Sequence, residues 1–225
     1  VGVLHRFTDR ADRVPTLGGV MKPLLLDLFC GAGGAAMGYH RAGFDVVGVD
    51  INPQPNYPFE FHQADALEFL ARGADRFDAV HASPPCQRYS AMSTCRPGLA
   101  QNYPDLVDPT RNIIEATGLP YVIENVPGSP LINPITLCGH MFGLELYRHR
   151  LFEVNFGLVE PLHPPHLKPA SKAGHWKPGT VMSISGHMAP IAKAREVMGI
   201  DWTNREELAE AIPPAYTEYV GAQLL

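Results

Sequence analysis

Four apolar runs of strand length recur in the first two thirds of the chain: Pro23–Phe29, Asp45–Asp50, Asp78–Ala82 and Pro120–Val126. Between the first of them the apolar spacing changes to that of helices. Ala35–Ala42 runs into Gly43, and Ala66–Arg72 runs into Gly73, each a helix followed by its glycine stop. Strands alternating with helices predict a doubly wound α/β fold, a mostly parallel sheet covered on both faces. Ligands of such sheets bind beyond the carboxyl ends of the strands. From Phe156 to Pro190 the pattern fails, because Pro161, Pro164, Pro165, Pro169, Pro178 and Pro190 break any long helix. Periodicity returns at Ala192–Met198, at Asn204–Ala211 with Thr203 or Asn204 as its cap, and at Pro214–Leu225. The expected organisation is a loosely ordered leader (1–20) before Met21, which could be an alternative start. A catalytic domain (21–157 with 198–225) follows, carrying a small loop-rich lobe (158–197).

Composition narrows the class. The 225 residues are 45% hydrophobic and 18% charged, ordinary for one soluble domain. No apolar run reaches the ~18 residues of a membrane span, and the leader lacks the apolar core of a secretory signal. Four cysteines without framework spacing point to reduced thiols in the cytoplasm. A net charge of −5 argues against indiscriminate coating of nucleic acid, but the charge is unevenly spread. Residues 148–195 hold seven Lys/Arg against Glu153 and Glu160, plus five histidines, a segment suited to phosphates.

The strand ends carry the chemistry. Leu24–Leu28 leads into Phe29-Cys30-Gly31-Ala32-Gly33-Gly34, a Gly-rich turn where missing side chains let a cofactor approach the backbone. Without a Lys-Ser/Thr pair after the glycines, a phosphate-binding P-loop is disfavoured. Asp50, ending a second strand some twenty residues on, suits a ribose. Asp65 suits an adenine amino group, and either acid could instead cap a helix. Ser83-Pro84-Pro85-Cys86-Gln87 presents a thiol in a Pro-stiffened loop, and Tyr121-Val122-Ile123 ends on Glu124-Asn125, a carboxyl that burial would push up toward use as an acid. Arg148 and Arg150 alternate as on one face of a strand. Cys138, His140, His163, His166 and His175 are zinc donor types, but their spacing matches no closed-site template, so no metal is expected.

In this order the motifs Phe-x-Gly-x-Gly-Gly, Pro-Cys-Gln-x-x-Ser (Pro85 to Ser90), Glu-Asn-Val and Arg-x-Arg closely resemble those of the DNA cytosine-5 methyltransferases. The resemblance implies a class I methyltransferase fold binding S-adenosylmethionine. Phe29, Gly31, Asp50 and Asp65 would contact the cofactor, with Gly33, Gly34, Ile51, Ala66 and Pro85 beside them. It implies that Cys86 adds to C6 of cytosine, that Glu124 serves N3, and that Arg148 and Arg150 bind O2 or orient Glu124, with Asn125 and Gln87 shaping the loops. Duplex DNA is the implied partner, read by a monomer, with the cytosine flipped out under the Arg88–Asp108 loop (Arg88, Arg96, Gln101). The chain departs from the family in two places. Ala209-Glu210 stands where a Gly-Asn pair precedes Pro213-Pro214, and residues 158–197 replace a much larger target-recognition domain. Alternatives are therefore the same chemistry on single-stranded DNA or a cytidine nucleotide, or a degenerate binding protein. Amino methylation, suggested by Ser83-Pro84-Pro85, would leave Glu124 without a role.

Overall fold

The computed structural model describes residues 21–90, 100–172 and 174–225; the expected leader, Cys95 and Arg96 lie outside the described residues. A seven-stranded sheet runs in the order β3-β2-β1-β4-β5-β7-β6. Its strands are β1 (Leu24–Leu28), β2 (Asp45–Asp50), β3 (Glu60–Gln63), β4 (Ala79–Ala82), β5 (Tyr121–Asn125), β6 (Ile135–Leu137) and β7 (Arg150–Val154). The first five strands in chain order pair in parallel; β7 is antiparallel to both β5 and β6. The chain leaves β1 toward β2 and β3, then returns to build β4 and β5 on the other side. The crevice beyond the carboxyl ends of β1 and β4 is therefore the topological switch point, where ligands of open α/β sheets bind.

Helices α1 (Gly34–Ala42), α2 (Ala66–Gly73) and α3 (Val107–Thr117) belong to this body, as does α6 (Pro214–Leu224). The sequence pattern had not singled out α3, whose signal is masked by Pro109. Proline is tolerated there because the first turn needs no intrahelical N–H, and Val107, Thr110, Arg111 and Ile114 form its buried stripe. Helices α1 and α6 cross so closely that a Cβ on Gly38 would lie 2.1 Å from Thr217 Oγ1 and 2.2 Å from the Pro214 carbonyl. Thr217 Oγ1 also donates to the Ala35 carbonyl at 2.8 Å. This contact sets the C-terminal segment against the Gly-rich turn.

Two apolar clusters flank the sheet, one with Leu25, Tyr39, Phe152 and Tyr216, the other with Leu26, Val49, Leu70 and Ile123. A third lies away from the sheet. Leu146 and Met182, joined by an isolated bridge, pack with Met188, with Val197 of α4 (Ile191–Met198), and with Leu208 of α5 (Arg205–Glu210). The proline-rich lobe thus shares its core with segments on both sides of it. Asn204 caps α5 in a reciprocal box with Glu207.

Candidate active site

The turn after β1 is built for close approach. Phe29 has φ +55°, a conformation that costs energy for any residue with a side chain and that concentrates at functional sites. Gly31 follows at φ +49°. Its N–H donates to Asp50 Oδ2 at 3.2 Å, and Asn52 N–H donates to Asp50 Oδ1 at 2.9 Å, so one carboxylate at the end of β2 ties together two loops. Beside it Ile51 is 65% exposed, an apolar side chain left at the rim of the cleft.

That cleft, of about 260 Å³, gathers most of the expected residues. Phe29, Gly31, Gly34, Asp50 and Ile51 line one end; Pro85, Cys86, Gln87, Glu124 and Arg150 line the other. The remaining ones sit behind it. A Cβ on Gly33 would meet Pro58 Cδ at 2.7 Å, so this glycine serves packing of the loop that carries Tyr57. Asp65 caps α2, its Oδ1 accepting from Leu67 and Glu68 N–H at 2.9 Å, and Ala66 is buried in the core. Asn125 is buried; its Nδ2 donates to the Pro84 carbonyl at 2.9 Å and so fixes the loop that presents Cys86. Arg148 turns away, its Nη2 donating to the carbonyls of Ala209 (2.7 Å) and Glu210 (3.2 Å) at the end of α5. A cation there meets the negative end of the helix. Burial and the neighbouring Arg150 lower its pKa to about 9. Of the expected base-flipping loop, Arg88 is committed to the Tyr103 carbonyl and Asp105, and Gln101 is exposed.

Glu124 is the most constrained of the chemical groups. Arg150 Nε lies 3.1 Å from Oε1, yet not in line, and that buried oxygen has no hydrogen-bond partner. Burial raises the Glu124 pKa against the pull of Arg150, a hydrogen bond from Ser83 and Arg148. Burial also raises Cys86, reinforced by the charge of Glu124 and opposed by Arg150 and Arg148.

Three groups that sequence reasoning missed stand behind Glu124. His81 Nε2 lies 2.9 Å from Ser83 Oγ, and His81 Nδ1 lies 3.0 Å from Tyr39 Oη. With Glu124 ionised, Ser83 must donate to it. Ser83 then accepts from His81 Nε2–H, and Nδ1 accepts from Tyr39. Burial lowers the His81 pKa to about 3 and raises that of Tyr39, so both stay neutral. Asp27, in the middle of β1, also lines the cleft; its Oδ1 is buried without a hydrogen-bond partner, and burial raises its pKa to about 8. An acid inside the run Leu24–Leu28 was the visible signal for it.

The chain carries the same motifs and fold as known proteins. Residues 24–130 match the family model for C-5 cytosine-specific DNA methylase. Over that stretch the chain is similar to the DNA cytosine-5 methyltransferase family. The Type II methyltransferase M.XorII of Xanthomonas oryzae pv. oryzae is 32% identical over 128 residues, 48% of this chain and 29% of that protein. M.AgeI of Thalassovita gelatinovora is 30% identical over 120 residues, 46% of this chain and 28% of that protein. These matches span less than a third of either relative's length. Two solved structures share the fold across 91% of this chain and 98% of their own: Entamoeba histolytica methyltransferase EhMeth (TM-score 0.61, 14% identity) and S. pombe Dnmt2 methyltransferase (TM-score 0.57, 15% identity). The doubly wound α/β fold expected from the sequence stands, and the expected resemblance is found over residues 24–130.

Proposed function

We propose that this chain transfers a methyl group from S-adenosylmethionine to C5 of cytosine in DNA through a covalent bond between Cys86 and C6. The observation that carries this reading is that Cys86, Glu124 and Arg150 share one cleft with the Gly-rich turn and Asp50, at the switch point of the sheet.

The cleft fits the cofactor. Asp50 presents a carboxylate to a ribose, exposed Ile51 and Phe29 offer apolar surface to a purine, and Gly31 leaves open space, since a Cβ there would meet nothing within 4 Å. Asp65, capping α2 outside the cleft lining, is the weaker of the two expected acids. Bound S-adenosylmethionine supplies an electrophilic methyl group. The protein has to make C5 of cytosine nucleophilic. The Cys86 thiolate adds to C6, the ring's π electrons move toward N3, and Glu124 shares a proton with N3 as charge develops there. Since the charge of Glu124 opposes ionisation of Cys86, a protonated Glu124 favours the thiolate, and the two arginines hold the single negative charge that remains. Once C5 has taken the methyl group, with S-adenosylhomocysteine as the leaving group, and its proton has passed to water, the Cys86–C6 bond breaks and the thiolate leaves. Asn125 and Ser83 act as positioning residues, one on the Cys86 loop and one on the Glu124 carboxyl.

Duplex DNA is the favoured substrate, with exposed Lys172 and Lys177 of the lobe available to the backbone. The three described cysteines are free thiols, in keeping with a cytoplasmic setting, and no described helix is long and apolar enough to cross a membrane. The test is a labelled methyl donor offered with duplex DNA, single-stranded DNA and cytidine nucleotides, followed by digestion of the product. 5-Methylcytosine from duplex DNA is expected. Label in N4-methylcytosine, or in no nucleic acid at all, would overturn the reading.

A further inference from the structure

Outside the cleft, the fold brings together four side chains that are far apart in sequence. Cys138, His149, His163 and His166 each point one donor atom to a common centre, and all four atoms lie within 4.8 Å of one another. Cys138 Sγ is 3.4 Å from His166 Nε2, and His149 Nε2 is 3.3 Å from His163 Nε2. Bonds of about 2.0–2.1 Å to nitrogen and about 2.3 Å to sulfur place the donors of a tetrahedral zinc ion about 3.3–3.6 Å apart. The two short separations match, and the others stay within 4.8 Å. The chain spacing is Cys-x10-His-x13-His-x2-His, unlike any compact finger template, which is why the sequence argued against a metal. His149, which the spacing did not single out, completes the set, and His140 and His175 stay outside it.

We propose that Cys138, His149, His163 and His166 bind one zinc ion that staples the proline-rich lobe to the α/β body. The ligands come from both sides of that junction. Cys138 begins the short turn after β6, and His149 immediately precedes β7. His163 and His166 lie in the lobe, spaced by Pro164-Pro165, with Pro161 just before them. The surroundings suit a metal site. Cys138 Sγ accepts the N–H of Met141, a bond that supports a thiolate, and Tyr147 stacks on the His166 ring at 3.7 Å and 12°. Tyr147 Oη in turn donates to the Lys168 carbonyl at 3.0 Å, fixing the chain just after the ligand.

Four protein ligands leave no open coordination position, so the ion is structural and does not activate water. The need for it is visible in the lobe. Among the described residues, 155–190 contain no helix or strand beyond isolated bridges; none of residues 159–170 is buried, and Leu162 and Leu167 are 90% and 84% exposed, so the part of the lobe that carries His163 and His166 has little apolar burial to hold it. A metal whose ligands come together only in the folded chain adds its binding energy to folding. It also fixes His149 one residue before Arg150, the partner of Glu124.

The full chain, expressed without a histidine tag and purified without chelator, should contain close to one zinc per molecule by mass spectrometry of the metal. Replacing zinc with cobalt(II) should give the strong visible absorption of a tetrahedral site together with a near-ultraviolet thiolate band. C138S should lose that band, and H163A with H166A should lose the metal. Stripping zinc should lower the melting temperature and expose the lobe to protease. A folded protein that takes up no zinc in calorimetry would overturn the proposal, as would a weak octahedral cobalt spectrum or full metal content in H163A/H166A. The cobalt spectrum of the unaltered chain decides even if the variants fold poorly, and none of these readouts depends on methyl transfer.

Discussion

Two buried carboxylate–guanidinium pairs hang on strand β7, and they are built differently. Glu153 is saturated: Oε1 accepts Arg111 Nε at 2.7 Å, and Oε2 accepts Arg111 Nη2 at 2.9 Å and the Ile132 N–H at 2.7 Å. Arg111 also donates to the Pro130 carbonyl at 2.8 Å and pairs with Asp108, and its pKa is raised chiefly by the Glu153 bond. Glu124 has one guanidinium nearby and an oxygen with no hydrogen bond. The saturated pair fixes α3 against the sheet and has no capacity left for a ligand. The unsaturated pair keeps a carboxyl with a raised pKa and free acceptor capacity, facing the cleft. Incomplete pairing of a buried acid is costly to a fold, and its occurrence beside a thiol points to chemistry.

Neutralising one partner of each pair separates these roles. Glu124→Gln should slow methyl transfer by about 10²–10⁴-fold with little change in melting temperature, since it removes the acid and keeps the shape. Kinetics with saturating DNA and cofactor, beside a melting curve, checks this. At the other pair the effect moves to stability. Arg111→Ala should cost about 3–5 kcal/mol by leaving Glu153 buried and unpaired. Replacing Arg111 and Glu153 together by apolar residues should recover most of that loss in urea titrations. If Arg111→Ala were silent, the saturated pair would not be the structural one.

Smaller effects sharpen the contrast. Ser83→Ala should lower kcat by about tenfold, the loss of one hydrogen bond to a charged group, and leave KM near normal. Ser83→Thr should restore it, whereas a purely structural role would change both constants. The last contrast concerns pH and acts on stability, not on rate. The Asp27 carboxyl has its pKa raised to about 8 in the folded chain from 3.8. Its contribution to stability is fully present below the unfolded value and is lost as pH rises through about 8. Asp27→Asn should therefore gain stability relative to the unaltered protein between pH 5 and pH 8, and a constant difference across that range would place the titration elsewhere.

Strand ends were the legible part of this sequence. Leu24–Phe29, Asp45–Asp50 and Tyr121–Asn125 are apolar runs that stop on a glycine turn or an acid, and the structure keeps them within a residue or two. Local pattern carries such information because a buried parallel strand must be apolar along its length. What it could not carry is pairing between distant residues. Arg148 reaches the end of α5, sixty residues on. His81 meets Tyr39 of α1, 42 residues earlier, only because that helix packs against the sheet. The third core joins Leu146 to Leu208. Asp65 shows the converse: an acid that ends a third segment, and so was expected at an adenine, is held by the local demand of a helix start.

The most direct test of the account uses DNA in which the target cytosine carries fluorine at C5, so that the C5 substituent cannot leave as a proton. With S-adenosylmethionine present, the protein should become covalently attached to that DNA, and peptide mapping should place the bond at Cys86, with no attachment in Cys86→Ala. An enzyme that methylates ordinary cytosine in the same DNA, yet forms no adduct with the fluorinated base, would contradict the covalent role of Cys86.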